Sequence, residues 1–269
     1  MKTIWVTSLS KNQARVQAVT DVLKRYGLNV KGHFWVDAPD KMAWRVALDE
    51  LKQAKAHLWL VLADAPSMSV PSVQYGLSLF SASLEQECGA AVAQMCLWPG
   101  ELPERDSADL LCHRAIQLSE GMVAWPARVV AKANVPSKPS GKDYRLRVIG
   151  EERLGQWFEV GPQEGHWEGV LFGVCGGDAQ IDFHAVGTAG ALPEKTVLEY
   201  AQEGVELKLA NARVYRAWAV RNQLTDKDSY FVRVKGQPAS VLFMPYTDAD
   251  DAAATVLELA AINELRSHA

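Results

Sequence analysis

Two loops near the N-terminus carry side chains that could hold an anionic ligand. The first, residues 8–12 (SLSKN), follows an apolar strand-like run and enters a helix start, where free backbone amides can bind a phosphate. The second begins at Asp64, directly after another apolar run. Ser8, Ser10 and Asp64 are therefore predicted to bind a nucleotide-like ligand. Because residues 8–12 lack the glycine-rich fingerprint of a dinucleotide site, no bound cofactor is predicted.

Another group of reactive side chains lies in residues 173–184 (GVCGGDAQIDFH). Cys175 could act as a thiol nucleophile, and Asp178, Asp182 and His184 could bind a metal ion. The same stretch also fits a β-hairpin, because a Gly-Gly-Asp turn separates two strand-like runs. The hairpin is favoured, since the spacing matches no recognised metal signature.

The cysteines give no sign of a metal or redox centre. Cys88, Cys96, Cys112 and Cys175 are widely spaced and include no CxxC pair. This spacing predicts buried, reduced thiols that behave as small apolar side chains. No metal site is therefore predicted.

The elements that position these residues alternate between strand and helix in the first part of the chain. The strand-like runs are residues 3–7, 30–36, 58–63 and 90–98. Strands joined by crossover helices pair in parallel, so the prediction is a small doubly wound α/β sheet. A helix over residues 107–118 and a short strand within residues 122–130 are expected to follow.

Residues 133–142 (ANVPSKPSGK) have the composition of a linker, which predicts domains at residues 1–132 and 143–269. In the second domain, short strand-like runs separated by turn residues predict an antiparallel β-sandwich or open barrel. A helix with acidic caps at residues 248–251 is expected to close the chain. Its predicted apolar surface consists of Val256, Leu257, Leu259, Ile262 and Leu265.

The charge of the chain argues against two classes of partner. A formal net charge of -4 and a pI near 5.9 disfavour bulk electrostatic binding to nucleic acid or to an anionic membrane. No apolar segment approaches the roughly 20 residues of a membrane helix, and the chain enters a strand-like run at once. These features predict a soluble, cytoplasmic protein.

The first 100 residues resemble the Toll/interleukin receptor (TIR) domains, especially the bacterial forms. Three segments carry the resemblance: TIWVTSLSKNQ, DELKQAKAHLWLVLAD and SVPSVQYGLSLF. The last is similar to the family's S-x-W-V-x-x-E-L helix. Flavodoxin-like and nucleoside-deoxyribosyltransferase-like domains share the alternation of strand and helix. No family resemblance is recognised in residues 143–269.

Catalytic TIR domains split NAD between nicotinamide and ribose, and a glutamate on the third helix stabilises the developing positive charge. The resemblance places Gly76 at that position, whereas the F-E-x-G-x-A pattern of the deoxyribosyltransferases places Gln74 there. Neither residue is acidic, and Glu85 and Glu87 lie too far along the helix to substitute. Gln74 joins the predicted ligand-binding residues, and no catalytic residue is predicted.

The resemblance therefore implies a TIR-like protein that has lost catalysis and works through binding. It would bind a nucleotide-like ligand or another subunit, and because TIR domains self-associate, a homodimer is expected. The alternative is a hydrolase or transferase that acts on an N-glycosidic bond with a displaced acid. A third hypothesis is an adaptor protein without a small ligand.

Overall fold

The computed structural model of the protein describes residues 1–89, 92–102, 114–135, 141–210, 212–246 and 253–261. The chain divides into two compact units, Met1–Ser140 and Gly141–Ala269. The first unit contains a parallel sheet with the strand order β2-β1-β3-β4-β5. Its strands are β1 (Thr3–Ser8), β2 (Asn29–Phe34), β3 (Leu58–Leu62), β4 (Ala93–Trp98) and β5 (Ile116–Ser119).

Helices lie in the connections between these strands and after β5. They are α1 (Gln13–Arg25), α2 (Ala43–Gln53), α3 (Ala65–Met68), α4 (Pro71–Cys88) and α5 (Trp125–Asn134), with a 3-10 turn at Pro39–Lys41 before α2. α1 begins where the Asn12 side chain accepts a hydrogen bond from the Arg15 amide. It ends before Gly27, whose φ of 77° is a conformation that glycine adopts easily. α4 begins at Pro71, which has no backbone N–H that would need a partner.

The helices cover both faces of the parallel sheet. On one face, Leu60 of β3 belongs to a buried cluster with Leu23 of α1 and Val129 of α5. On the other face, the ring of Trp59 stacks on that of Phe80 of α4 with centroids 4.2 Å apart. Alternate residues of β3 therefore face opposite helical layers, and the doubly wound α/β prediction is confirmed.

The strand predicted within residues 122–130 is wrong, because α5 (Trp125–Asn134) occupies most of that stretch. Trp125, Val129 and Ala133 are all buried, and their spacing of four residues gives one face of a helix. The last turn of α5 also includes Asn134, so the start of the predicted linker is helical.

The helix predicted over residues 107–118 is wrong at its end, where β5 (Ile116–Ser119) pairs in parallel with β4. Leu118 is fully buried in the cluster that α1 and α5 cover. Residues 107–113 lie outside the described part of the chain. Pairing with a strand distant in sequence decides the conformation of this short segment.

The second unit consists of antiparallel sheets. Its strands are β6 (Tyr144–Glu151), β7 (Gly155–Pro162), β8 (His166–Trp167), β9 (Val170–Cys175), β10 (Gln180–Thr188), β11 (Gln202–Lys208), β12 (Val214–Val220), β13 (Leu224–Thr225), β14 (Asp228–Lys235), β15 (Ser240–Pro245) and β16 (Thr255–Glu258). One sheet has the order β10-β14-β7-β6, a second has the order β11-β12-β9-β15-β16, and β13 and β8 form a short ribbon.

Aromatic side chains connect the two larger sheets of this unit. Phe158 of β7 and Phe172 of β9 have ring centroids 5.4 Å apart, and Tyr144 of β6 meets Phe243 of β15 edge to face at 4.9 Å. β6 alternates between buried and less buried positions, whereas β7, β9 and β15 are buried along most of their length. Two antiparallel sheets in contact through such residues form a β-sandwich core, as predicted.

The helix predicted to close the chain is wrong within the described residues. Thr255–Glu258 form β16, which pairs antiparallel with β15, and Leu257 opposite Val241 is buried. Val256 and Leu259 therefore do not share a helical face. β-branched residues favour the extended form, and the pairing satisfies the backbone of a segment too short for a stable helix. Residues 248–251, Ile262 and Leu265 lie outside the described part.

Candidate functional site

The carboxyl edge of the parallel sheet brings three of the predicted ligand-binding residues together. Strand order reverses between β1 and β3, which is where open α/β sheets bind ligands. Ser8 pairs with Leu62, so the loop with Ser10 and the loop with Asp64 leave the sheet side by side. The Ser8 hydroxyl is buried and donates to the Ser10 carbonyl oxygen at 2.7 Å, so it is already used inside the loop.

Asp64 has a structural role in the same place. Its Oδ1 accepts a hydrogen bond from the Ser67 amide at 2.9 Å and caps α3, while its Oδ2 is buried with no hydrogen-bond partner in the described structure. Gln74 does not join this group. Its side chain is buried, and its Nε2 donates to the Met68 carbonyl at 2.7 Å, which ties α4 to the end of α3.

Arg15 lies across the carboxyl ends of β3 and β4 and was not anticipated by the sequence pattern. Its Nη1 and Nη2 donate to the carbonyl oxygens of Ala63 and Leu97, each at 2.9 Å. Its Nε donates to Glu120 Oε1 at 2.7 Å, in an ion pair whose arginine side chain is only 10% exposed. An internal cation with three partners thus occupies part of the edge where a ligand would approach.

Gly76, the position aligned with the TIR glutamate, lies against the indole of Trp35. A Cβ atom added at residue 76 would lie 2.8 Å from Cζ2 of Trp35, closer than real Cβ contacts. Trp35 is buried, its amide donates to the Ser8 carbonyl at 2.8 Å, and its ring meets Phe80 edge to face. The space that a side chain would need at this position is therefore filled.

A shallow depression beside Gly76 leaves no room for a water molecule. It is lined by Trp35, Val36, Asp37, Ala38, Pro39, Trp44, Ser72 and Gly76. One lining residue is a carboxylate from another element: Asp37 Oδ2 accepts a hydrogen bond from the Ser72 hydroxyl at 2.6 Å. Asp37 is exposed, so this carboxylate lies at the mouth of the depression.

Two indoles that line the depression, and two residues close to lining positions in the sequence, carry buried polar atoms. Trp35 Nε1, Trp44 Nε1 and the Tyr75 hydroxyl have no hydrogen-bond partner within the described residues. Burial and the nearby charge of Asp40 raise the pKa of Tyr75. Burial lowers the pKa of His33 to about 4, and its Nδ1 accepts from Trp5 Nε1 at 3.0 Å. The lining thus combines neutral indoles with the carboxylate of Asp37.

Glu87, further along α4, is not available as a displaced acid at this depression. Glu87 forms ion pairs with Arg45 and Lys52 of α2. Burial alone would raise the pKa of Glu87, but hydrogen bonds from these two cations outweigh it and hold the pKa below its ordinary value. Glu87 therefore fastens α4 to α2.

The residues 173–184 do not form the predicted hairpin. β9 and β10 belong to different sheets, so the Gly-Gly-Asp turn carries the chain from one sheet of the sandwich to the other. Asp182 forms ion pairs with Arg233 and Lys235, while His184 Nδ1 lies 2.7 Å from the Tyr230 hydroxyl. Burial raises the pKa of the Cys175 thiol. Asp182 and His184 thus have separate partners.

Across the described residues, no group of three or more His, Cys, Asp or Glu side chains could hold a metal ion. Burial lowers the pKa of His184, and the charge of Glu203 opposes that shift. None of the described helices is both long and apolar enough to cross a membrane.

Comparisons with known proteins add little. No family model and no curated protein matches the chain. Among solved structures, the chain is similar to a two-domain esterase active on acetylated mannans, with 7% sequence identity and a TM-score of 0.31. The match covers 97% of this chain and 92% of that chain. A similarity of this degree supports no conclusion about fold or activity.

Proposed function

We propose that this chain is a non-catalytic, TIR-like binding protein whose partner is another protein. The observation that supports the proposal most directly is the contact of Trp35 with Gly76. A TIR active site needs a carboxylate on the third helix, because a negative charge must lie beside the ribose as the glycosidic bond breaks. Here the residue is glycine, and an indole occupies the volume of the missing side chain.

The alternative alignment supports the same conclusion. Gln74 is buried, and its amide nitrogen is committed to the Met68 carbonyl. An amide also cannot carry the negative charge that the reaction requires. Both positions where related proteins keep an acid are thus uncharged and enclosed by the chain's own atoms.

A protein partner is favoured over a nucleotide-like ligand, because the chain's own side chains take up space at both places where a nucleotide would bind. Arg15 and Glu120 occupy the carboxyl edge of the sheet, and Trp35 closes the depression at α4. Apolar side chains are instead exposed nearby: Val36 is 62% exposed and Val46 of α2 is 61% exposed. A second copy of the chain is the partner that the TIR resemblance implies. A cytoplasmic location remains a prediction from the sequence.

The proposal is tested by incubating the purified full chain with NAD and with deoxynucleosides and measuring free base by chromatography. We expect no release above a heat-denatured sample. Gly76→Glu is expected to gain no activity, because Trp35 leaves no space for the new side chain, and Gln74→Glu is the matched control for the second alignment. Base release by the wild-type chain would overturn the proposal, and a gain with Gly76→Glu alone would contradict the claim that Trp35 closes this position.

Binding of a small ligand is tested separately by thermal unfolding with NAD and a set of nucleotides. A ligand present at about a hundred times its dissociation constant adds roughly 2.7 kcal/mol of stability. We expect no shift from any of these compounds. A shift that is lost in an Asp64→Asn variant would favour the nucleotide-binding form of the proposal instead.

One observation favours the second candidate function, a hydrolase or transferase that acts on an N-glycosidic bond. The Asp37 carboxylate lies at the mouth of the depression beside Gly76 and could serve as the displaced acid. The matched variants are Asp37→Asn and Asp40→Asn, since both remove one charge from the same loop. Activity that only Asp37→Asn abolishes would establish this function.

A further inference from the structure

A buried histidine lies where the two larger sheets of the second unit meet. His184 belongs to β10, in the sheet with the order β10-β14-β7-β6, and is only 5% exposed. Its ring meets the indole of Trp218 edge to face, with centroids 4.8 Å apart. Trp218 belongs to β12, which is part of the other large sheet. The imidazole of His184 can therefore interact with polar groups of either sheet.

The two ring nitrogens of His184 face groups from different sheets. Nδ1 lies 2.7 Å from the hydroxyl of Tyr230, in the neighbouring strand β14 of the same sheet. Nε2 lies 3.8 Å from Oε1 of Glu203, in β11 of the opposite sheet. The first distance is that of a hydrogen bond, and the second is too long for one. The ring thus has one partner in its own sheet and another group close by in the other sheet.

The carboxylate of Glu203 decides which nitrogen carries the proton of the neutral ring. A negative charge beside Nε2 favours an N–H there, which leaves Nδ1 as a hydrogen-bond acceptor. The Tyr230 hydroxyl then donates to Nδ1, and this is its only hydrogen bond within the described residues. Tyr230 is fully buried, so solvent supplies no other acceptor. The neutral form of His184 is therefore the form that satisfies Tyr230.

Glu203 lies in an irregular part of the edge strand β11. The register between β11 and β12 shifts between Gln202 and Val205, and Gly204 has a φ of 68°. Bulges of this kind are common at sheet edges and redirect side chains. The Glu203 side chain is 62% exposed, and His184 is its only ion-pair partner among the described residues. A small adjustment of the bulge would therefore bring this carboxylate within hydrogen-bond distance of Nε2.

We propose that His184 is a proton-controlled switch between the two sheets: the neutral ring holds Tyr230 of its own sheet, and the protonated ring binds Glu203 of the opposite sheet. Protonation places an N–H on both ring nitrogens, so Nδ1 no longer accepts from the tyrosine, while Nε2 gains a charged acceptor. The proton comes from solvent, and only hydrogen bonds change. This inference goes beyond the proposed function and does not depend on it.

Burial determines the pH range in which the switch changes state. Burial lowers the pKa of His184 below its ordinary value of 6.5, and the charge of Glu203 opposes that shift. In the folded protein His184 is therefore neutral near pH 7, and the protonated form appears as the pH falls below 6.5. Because the unfolded chain binds this proton more readily, the contribution of His184 to stability is full above pH 6.5 and is lost as the pH falls.

The other charged groups around His184 have their own partners or lie at the surface. On β10, Asp182 forms ion pairs with two cations of β14. On β12, Arg216 is exposed. Burial, and to a lesser extent the charge of Glu203, raise the pKa of Tyr230, so its hydroxyl keeps its proton. Within the described residues, Glu203 is the charged group that shifts the pKa of His184.

The two contacts of the switch are tested by NMR titration of the histidine ring protons in the full chain. The resonance of His184 is identified by its absence from His184→Gln. Glu203→Gln removes the counterion of the protonated ring and is expected to lower the measured pKa of His184. Tyr230→Phe removes the donor that stabilises the neutral ring and is expected to raise it. Glu206→Gln removes a charge from an exposed position of the same strand and, as the matched control, is expected to leave it unchanged.

The response of the edge strand is tested by amide hydrogen exchange of residues 202–204 above and below the measured pKa of His184. After correction for the intrinsic dependence of exchange on pH, we expect exchange to slow by about 1.5- to 5-fold when His184 is protonated. This effect is expected to be lost in Glu203→Gln. Because Glu203 is exposed, that variant keeps the test decisive even if Tyr230→Phe does not fold.

Three results would overturn the inference. The first is an equal effect of Glu203→Gln and Glu206→Gln on the pKa of His184. The second is an unchanged or lower pKa of His184 in a folded Tyr230→Phe chain. The third is exchange in residues 202–204 that does not depend on the protonation of His184.

Discussion

Replacing Gly76 by alanine tests the contact on which the functional proposal depends. Gly76 lies inside α4, where alanine normally stabilises a helix relative to glycine by about 0.5 to 1 kcal/mol. At this position the new methyl group would lie 2.8 Å from the Trp35 ring, and the indole is too enclosed to move freely. Overpacking of this kind costs roughly 1 to 3 kcal/mol. We therefore expect Gly76→Ala to lower the unfolding free energy by about 0 to 2 kcal/mol.

The same substitution should reverse sign when the indole is removed. In a Trp35→Leu background the methyl group of Gly76→Ala meets open space. The substitution should then raise the unfolding free energy by about 0.5 to 1 kcal/mol, the usual advantage of alanine over glycine in a helix. The coupling between the two substitutions is then about 1 to 3 kcal/mol. The single variant Trp35→Leu lowers stability by itself, and the cycle corrects for that loss.

The four chains of this cycle are compared by urea unfolding. Because a protein with two compact units need not unfold in one step, fluorescence and far-ultraviolet circular dichroism are recorded together. The transition that shifts with Trp35→Leu reports the first unit. If Gly76→Ala stabilises the wild-type chain by about 1 kcal/mol, the space beside residue 76 is open and the argument against a side chain there fails.

Three further predictions concern buried groups of the first unit. Arg15→Ala removes three hydrogen bonds and leaves the Glu120 carboxylate without its partner. We therefore expect the unfolding free energy, measured in urea, to fall by about 3 to 5 kcal/mol. A decrease below about 1 kcal/mol would contradict the role given to this ion pair. The folded-state pKa of His33 is lowered from 6.5 to about 4, so the contribution of His33 to stability is full above pH 6.5 and is lost as the pH falls toward 4. We therefore expect the free energy of unfolding, measured from pH 7 to 4, to depend less on pH in His33→Gln than in the wild-type chain. An unchanged pH profile in the variant would refute this. Ser83→Ala removes a buried hydroxyl that has no hydrogen-bond partner in the described residues, so we expect it to be neutral or stabilising. Ser81→Ala breaks a hydrogen bond to Gln94 of β4, so we expect it to lower the unfolding free energy by about 1 kcal/mol. Equal effects of the two variants in thermal unfolding would contradict the different hydrogen bonding of the two hydroxyls.

Local patterns in the sequence were sufficient for the layered architecture. Buried strands such as β3 read as short apolar runs, and the helices between them have one apolar face, so the doubly wound sheet follows from periodicity alone. The same approach failed at α5 and β16. In α5 the apolar residues match both periods over a few positions, and in β16 the pairing with Val241 and its neighbours in β15 decides the conformation.

The structure brings together only some of the residues predicted to bind a ligand, for a related physical reason. Ser8 and Asp64 lie together because parallel strands end at a common edge, which the sequence implies. Arg15 binds atoms that lie 48, 82 and 105 residues away, so no local pattern announces its role. The contact of Trp35 with Gly76 likewise depends on how the end of β2 packs against α4, and no local sequence pattern predicts that packing.

The position of Arg15 also bears on how the protein is made. During vectorial synthesis the N-terminal strand and helix leave the ribosome long before Glu120 does, and until then this cation has no counterion. A nascent chain that ends before β5 would have to bury an arginine without its carboxylate. We therefore expect the first unit to stay protease-sensitive on the ribosome until its last strand emerges, and then to close in a single late step.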